Sequence, residues 1–115
     1  MEINKEEKCT EEQWVRYDTN VEIIDALTGI FIRQRRVVED ERLKEIYNNR
    51  IIELGKEEQL LDCANDEMIQ DVRSTYGALI REYYSIDLKD RKKMAPKGLP
   101  EKFWTTKVDF SKYLK

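Results

Sequence analysis

No histidine occurs among the 115 residues. That absence removes the commonest general base and the commonest metal ligand. Ser-His-Asp and Cys-His nucleophilic devices, two-His zinc motifs and Glu-x-x-His di-iron helices are therefore excluded. Glycine is scarce as well. Gly29, Gly55, Gly77 and Gly98 stand far apart, so no phosphate-cradling glycine loop exists. Cys9 and Cys63 are the two cysteines, without a Cys-x-x-Cys partner. Isolated thiols in a chain whose first thirty residues are acidic and lack a long apolar stretch read as reduced cysteines. The expectation is a cytoplasmic protein without a signal peptide. Apolar runs such as Ile30-Phe31-Ile32 do not exceed three residues, far short of a membrane span of about 18.

Charge is what the chain has in abundance, at 39% of residues against about a quarter in an average protein. It is unevenly placed. Residues 1–88 carry 12 basic and 21 acidic side chains, and residues 89–115 carry nine basic and three acidic. We expect an acidic helical domain over residues 1–88 followed by a basic, aromatic C-terminal tail over residues 89–115.

The body reads as helix. Thr10-Glu-Glu-Gln13 has capping-box spacing and predicts a short helix through Trp14 and Tyr17. The spacing recurs at Thr19-Asn-Val-Glu22, which predicts the start of a long helix. Val21, Ile24, Leu27 and Phe31 then share one face, and the pattern resumes through Val38, Leu43, Ile46, Tyr47 and Leu54. A break near residues 29–37 is open, since Ile30-Phe-Ile and Val37-Val38 also have strand character. Gly55 suits the position just past a helix end. Leu61, Ala64, Met68, Val72, Tyr76, Leu79, Tyr83 and Ile86 form a stripe of 3–4-residue steps, predicting one continuous helix over residues 57–86. The expected fold is all-α: a long antiparallel helical hairpin, a short N-terminal helix, and an extended tail with room for one short strand near Trp104–Phe110. Two helices bury little alone, so a homodimer is one way to complete the core.

Three groups of residues invite a functional reading. Glu58, Asp62 and Asp66, with Glu22-Ile-Ile-Asp25, resemble half of the carboxylate set of helical nucleotide pyrophosphatases; a solvated acidic face is the favoured reading, with no metal and no cofactor. Arg33, Arg35 and Arg36 could hold phosphate or a partner, although pairing with Glu39, Asp40 and the acidic second helix is the favoured expectation. In the tail, Phe103, Trp104, Phe110 and Tyr113 interleave with lysines, and Lys92 and Lys93 precede them. Such a segment can dock on its own body, on a partner protein or on nucleic acid.

Tyr76, Ile80 and Tyr83, then Asp87-Leu88, Met94, Pro96 and Lys97, loosely resemble the end of a GINS-type helical domain. That replication family places a small strand-rich domain beyond such a linker, and the resemblance covers about forty residues without a diagnostic motif. The functional expectation drawn from the residues themselves is a non-enzymatic protein-binding module: an adaptor, accessory subunit or inhibitor of a larger machine, of a kind viruses also encode. Its contacts would run through a helical surface and the tail. The alternative is a nucleic-acid-associated accessory protein of replication or transcription that uses the basic-aromatic tail.

Overall fold

The computed structural model describes residues 8–114, whose regular elements are all helices, with no strand among the described residues. Three long helices, α1 (Glu11–Val37), α2 (Glu41–Leu60) and α3 (Asp66–Ser85), are followed by short helices α4 (Leu88–Met94) and α5 (Lys102–Thr105) and a 3₁₀ turn at Phe110–Lys112. The all-α expectation holds. Its finer layout does not.

The Thr10 capping box is present, with the Thr10 hydroxyl accepting from the Gln13 N–H at 3.1 Å and Gln13 Oε1 accepting from the Thr10 N–H at 2.9 Å. It opens a 27-residue helix rather than a short one. Thr19 caps nothing: inside α1 its hydroxyl donates to the Val15 carbonyl at 3.0 Å. The break falls at residues 38–40, where the Asp40 side chain caps α2 by accepting from the Arg42 N–H at 2.9 Å. Gly55 lies within α2 and ends no helix. The helix expected over residues 57–86 is interrupted at residues 61–65. There Asp62 accepts from the Ala64 N–H and Asn65 caps α3 by accepting from the Met68 N–H. Short oxygen-bearing side chains offer the backbone a turn in place of another helical bond.

Side-chain contacts give the directions. Gln13 meets Asp66, Asn20 donates to the Ile69 carbonyl and Arg33 donates to the Tyr84 hydroxyl, so α1 and α3 run parallel. Arg35 donates to Asn48, and Asp25 faces Glu58, so α2 runs the other way. The three helices form an up-down-up bundle measuring 55 × 26 × 23 Å. Ile24, Leu27 and Phe31 from α1, Leu43, Tyr47 and Leu54 from α2, and Met68, Val72, Tyr76, Leu79 and Tyr83 from α3 are buried together. The third helix thus supplies core that a bare hairpin lacks.

Far from extending away or forming a strand, the tail returns along the groove between α2 and α3. The Leu99 N–H donates to the Tyr47 hydroxyl, Lys107 pairs with Glu53, the Val108 N–H donates to the Tyr76 hydroxyl, and the Tyr113 hydroxyl donates to Asp71. Leu99, Phe103, Val108 and Phe110 join the bundle core. The entry turn needs Gly98, whose φ is 111° and where a Cβ would lie 2.5 Å from Leu43 Cδ1. No strand-rich unit of the kind the GINS-type resemblance implies follows residue 88 among the described residues.

The cysteines also correct an expectation. Cys9 and Cys63 form a disulfide, with Cα atoms 6.2 Å apart, tying the segment before α1 to the α2–α3 connection. The bundle brings together two positions 54 residues apart, a proximity that sequence spacing could not show. Reduced thiols were the main premise for a cytosol-like compartment, and that premise falls. What remains is that no helix among the described residues is long and apolar enough to cross a membrane.

Candidate interaction site at the basic end of the bundle

The carboxylates expected on one face are separated by the helix break, Glu58 on α2, Asp62 in the connection and Asp66 at the start of α3. Among the described residues no group of three potential ligands converges. Glu58 instead meets Asp25 across the α1–α2 interface. Hydrogen bonding to Asp25, then burial and the like charge, push the Glu58 carboxyl up to about 6.

The most buried charge is Arg50, 1% exposed. It donates to Glu57 at 2.9 Å and to the Tyr76 hydroxyl at 2.9 Å, with its guanidinium over the Tyr76 ring. Tyr76 in turn donates to Glu57 and accepts from the Val108 N–H. Burial opposes the charge on Arg50, but Tyr76 and Glu57 more than offset it and raise its pKa. Burial pushes the Tyr76 phenol up to about 12. This cluster joins α2, α3 and the tail. Beside it lies an open cavity of about 330 Å³ lined by Ile46, Asn49, Arg50, Glu53, Trp104 and Lys107. Its two cations are already matched, Arg50 by Glu57 and Lys107 by Glu53.

The tail residues singled out from sequence are thus largely engaged within the molecule. Phe103 and Phe110 are buried at 1% and 6% exposure. Trp104 is half-buried with its ring edge-on to Tyr47. Tyr113 is half-buried on Asp71, which also pairs with Lys112. Lys102 pairs with Glu82. Burial would raise Asp71, but the Tyr113 hydroxyl, Lys112 and Thr75 together hold its carboxyl below the usual range.

The opposite holds for Arg33, Arg35, Arg36, Lys92 and Lys93. The acidic pairing expected for the arginines is absent. Arg33 donates to the Tyr84 hydroxyl at 3.1 Å and Arg35 to the Asn48 carboxamide at 2.7 Å, and neither has a carboxylate within ion-pair distance. Arg36, Lys92 and Lys93 are exposed and make no ion pair among the described residues. The fold gathers them. The C-terminal turn of α1 and the C-terminal turn of α3 lie at the same end of the bundle, and α4 leaves from there. The Glu39 N–H donates to the Pro96 carbonyl, fastening the far side of α4 to the α1–α2 turn. Sequence reading missed Tyr84, Leu88 and Arg91 at this end. The Arg91 guanidinium lies 5.2 Å from the Tyr83 ring centroid and 5.1 Å from that of Tyr84, and its Nε–H donates to the Ile86 carbonyl. Tyr84 is 50% exposed and Leu88 57%. Their off-stripe positions beside basic residues were the available signal.

Comparison of the chain with family models, with curated proteins and with solved structures finds no match. The site is read on its own chemistry.

Proposed function

We propose that this protein is a non-enzymatic binding module, an adaptor, accessory subunit or inhibitor, that engages another protein through the basic end of its helical bundle. One observation carries the reading. Arg33, Arg35, Arg36, Arg91, Lys92 and Lys93 are gathered at one end of the bundle, and none has a carboxylate partner among the described residues. Clustered unpaired cations speed and orient the approach of an oppositely charged surface. The tail's role shifts accordingly: its first part presents charge, and residues 99–113 hold the groove closed.

The same cations favour a second reading, a nucleic-acid-associated accessory protein, because they could neutralise phosphates. The test is chemical cross-linking in the native host, comparing the parent with an Arg36→Glu, Lys92→Glu, Lys93→Glu variant. Cross-linking to one protein that vanishes in the variant, with unchanged melting temperature, supports the first reading. Cross-links to nucleic acid that vanish in the same way support the second. Equal cross-linking by parent and variant removes both.

A further inference from the structure

We infer that Arg33, Tyr84 and Arg91, with Val37 and Leu88, form the docking site for an acidic protein segment that carries an aliphatic anchor. This inference deepens the reading of the basic end and rests on it. Seven large hydrophobic side chains are exposed among the described residues, and three of them, Val37, Tyr84 and Leu88, belong to this end, at 49%, 50% and 57%. Val37 follows Arg33 by four positions, so the two share a face of α1. Leu88 precedes Arg91 by three in α4. Apolar positions are therefore interleaved with guanidinium groups, the composition of an interface centre.

The two arginines are held in place without being neutralised. Arg91 uses its Nε–H on the Ile86 carbonyl and lies over the Tyr84 ring, which leaves its terminal nitrogens for an incoming carboxylate. Arg33 uses one terminal nitrogen on the Tyr84 hydroxyl. Tyr84 thus binds both cations and positions them before a partner arrives, and a held fork loses less freedom on pairing. Charge complementarity selects an acidic occupant, and exposed Val37 and Leu88 select one with an aliphatic side chain. A single-stranded nucleic acid fits less well, because base stacking needs a free aromatic face. Here Arg91 lies over the Tyr84 ring and Tyr83 meets it edge-on, with centroids 5.0 Å apart.

The experiment uses the full chain and a labelled synthetic peptide rich in Glu and Asp, with Leu at i, i+4 spacing. Controls are the same peptide with Ser for Leu, a thymidine oligonucleotide and a short DNA duplex. The Leu peptide is expected to bind at low salt, and the Ser peptide to bind about tenfold or more weakly. Arg33→Gln with Arg91→Gln, and separately the surface change Leu88→Ser, should each weaken the Leu peptide by about tenfold. If these variants bind like the parent while Lys92→Glu with Lys93→Glu abolishes binding, this site is overturned and the basic end stands. If none of the variants alters binding, both readings fall. Absence of peptide binding, tighter binding to either nucleic acid, or a salt-sensitive rise in mass with concentration showing a second copy of the chain as occupant would each overturn the acidic-partner inference.

Discussion

The two parts of the basic C-terminal stretch share an excess of lysine and have opposite fates: the first has no aromatic residue, and the second carries Phe103, Trp104, Phe110 and Tyr113. Residues 99–113 place Phe103, Val108 and Phe110 in the core, and their lysines meet Glu82, Glu53 and Asp71. In α4, by contrast, no residue is buried and no lysine has an acidic partner. Positive charge therefore does not by itself decide whether a segment is structural or available. What decides it is whether the groove beneath offers acceptors and apolar volume. The groove between α2 and α3 does, through Tyr47, Glu53, Asp71 and Tyr76. The end of the bundle does not.

The sharpest test of that contrast is a pair of truncations. Phe103→Ala removes a ring packed in the core against Tyr83. It should cost about 3–5 kcal/mol by urea or thermal unfolding. Leu88→Ala, at an exposed position of α4, should stay within about 0.5 kcal/mol. Similar losses at both positions would mean that the two parts of the tail are not distinct.

Reduction of the Cys9–Cys63 disulfide comes next. Closing a loop of that length constrains the unfolded chain by an amount worth about 4 kcal/mol at most, and native-state effects commonly make the observed value smaller. The melting temperature should fall with reductant and should not fall in a Cys9→Ala, Cys63→Ala variant. The link lies at the end of the bundle opposite Tyr84, so peptide binding at the basic end should survive reduction under conditions where the chain stays folded.

Gly98 joins the two parts, and Gly98→Ala is the third test. An alanine there is strained at φ 111° and its Cβ would press on Leu43 Cδ1. A loss of about 1–3 kcal/mol is expected. Near-neutral behaviour would show that residues 99–113 are not held against Tyr47 as described.

How far the sequence foretold this arrangement varies by element. The stripe on α3 was legible because burial follows a helical period: Met68, Val72, Tyr76, Leu79 and Tyr83 are all buried. The break before it was not, since Leu61, Ala64 and Met68 keep helical spacing across a connection that is not helix. Asp62 and Asn65 carried the missed signal, being short side chains able to cap and turn. The Cys9–Cys63 pair was invisible for a different reason: it depends on α1 and α3 running parallel, which no local pattern encodes. The arginine cluster was noticed, but its expected pairing with Glu39 and Asp40 assumed that nearness in sequence makes an ion pair. Tyr84 escaped because it lies off the stripe and matters only through Arg33 and Arg91, which reach it from other helices.

The smallest expected effect is a pair of opposite pH dependences that separates the docked tail from the helices beneath it. Asp71 is held below the usual carboxylate range by its tail partners. Its contribution to stability is therefore complete above the unfolded value of about 3.9. It is lost as pH falls through the lower folded value. Glu58, raised to about 6 by Asp25, behaves in reverse. Its contribution is complete below the unfolded value of about 4.3 and is lost as pH rises through the folded one. Each should be worth under about 1 kcal/mol at these partly solvated sites. Unfolding free energies measured from pH 3 to pH 8 should show Asp71→Asn flattening the acid limb alone and Glu58→Gln flattening the fall between pH 4 and pH 7 alone, with the sign of each slope fixed by its carboxyl. If Asp71→Asn left the acid limb untouched, Tyr113 and Lys112 would not be gripping that carboxylate, and the end of the tail would be as free as α4.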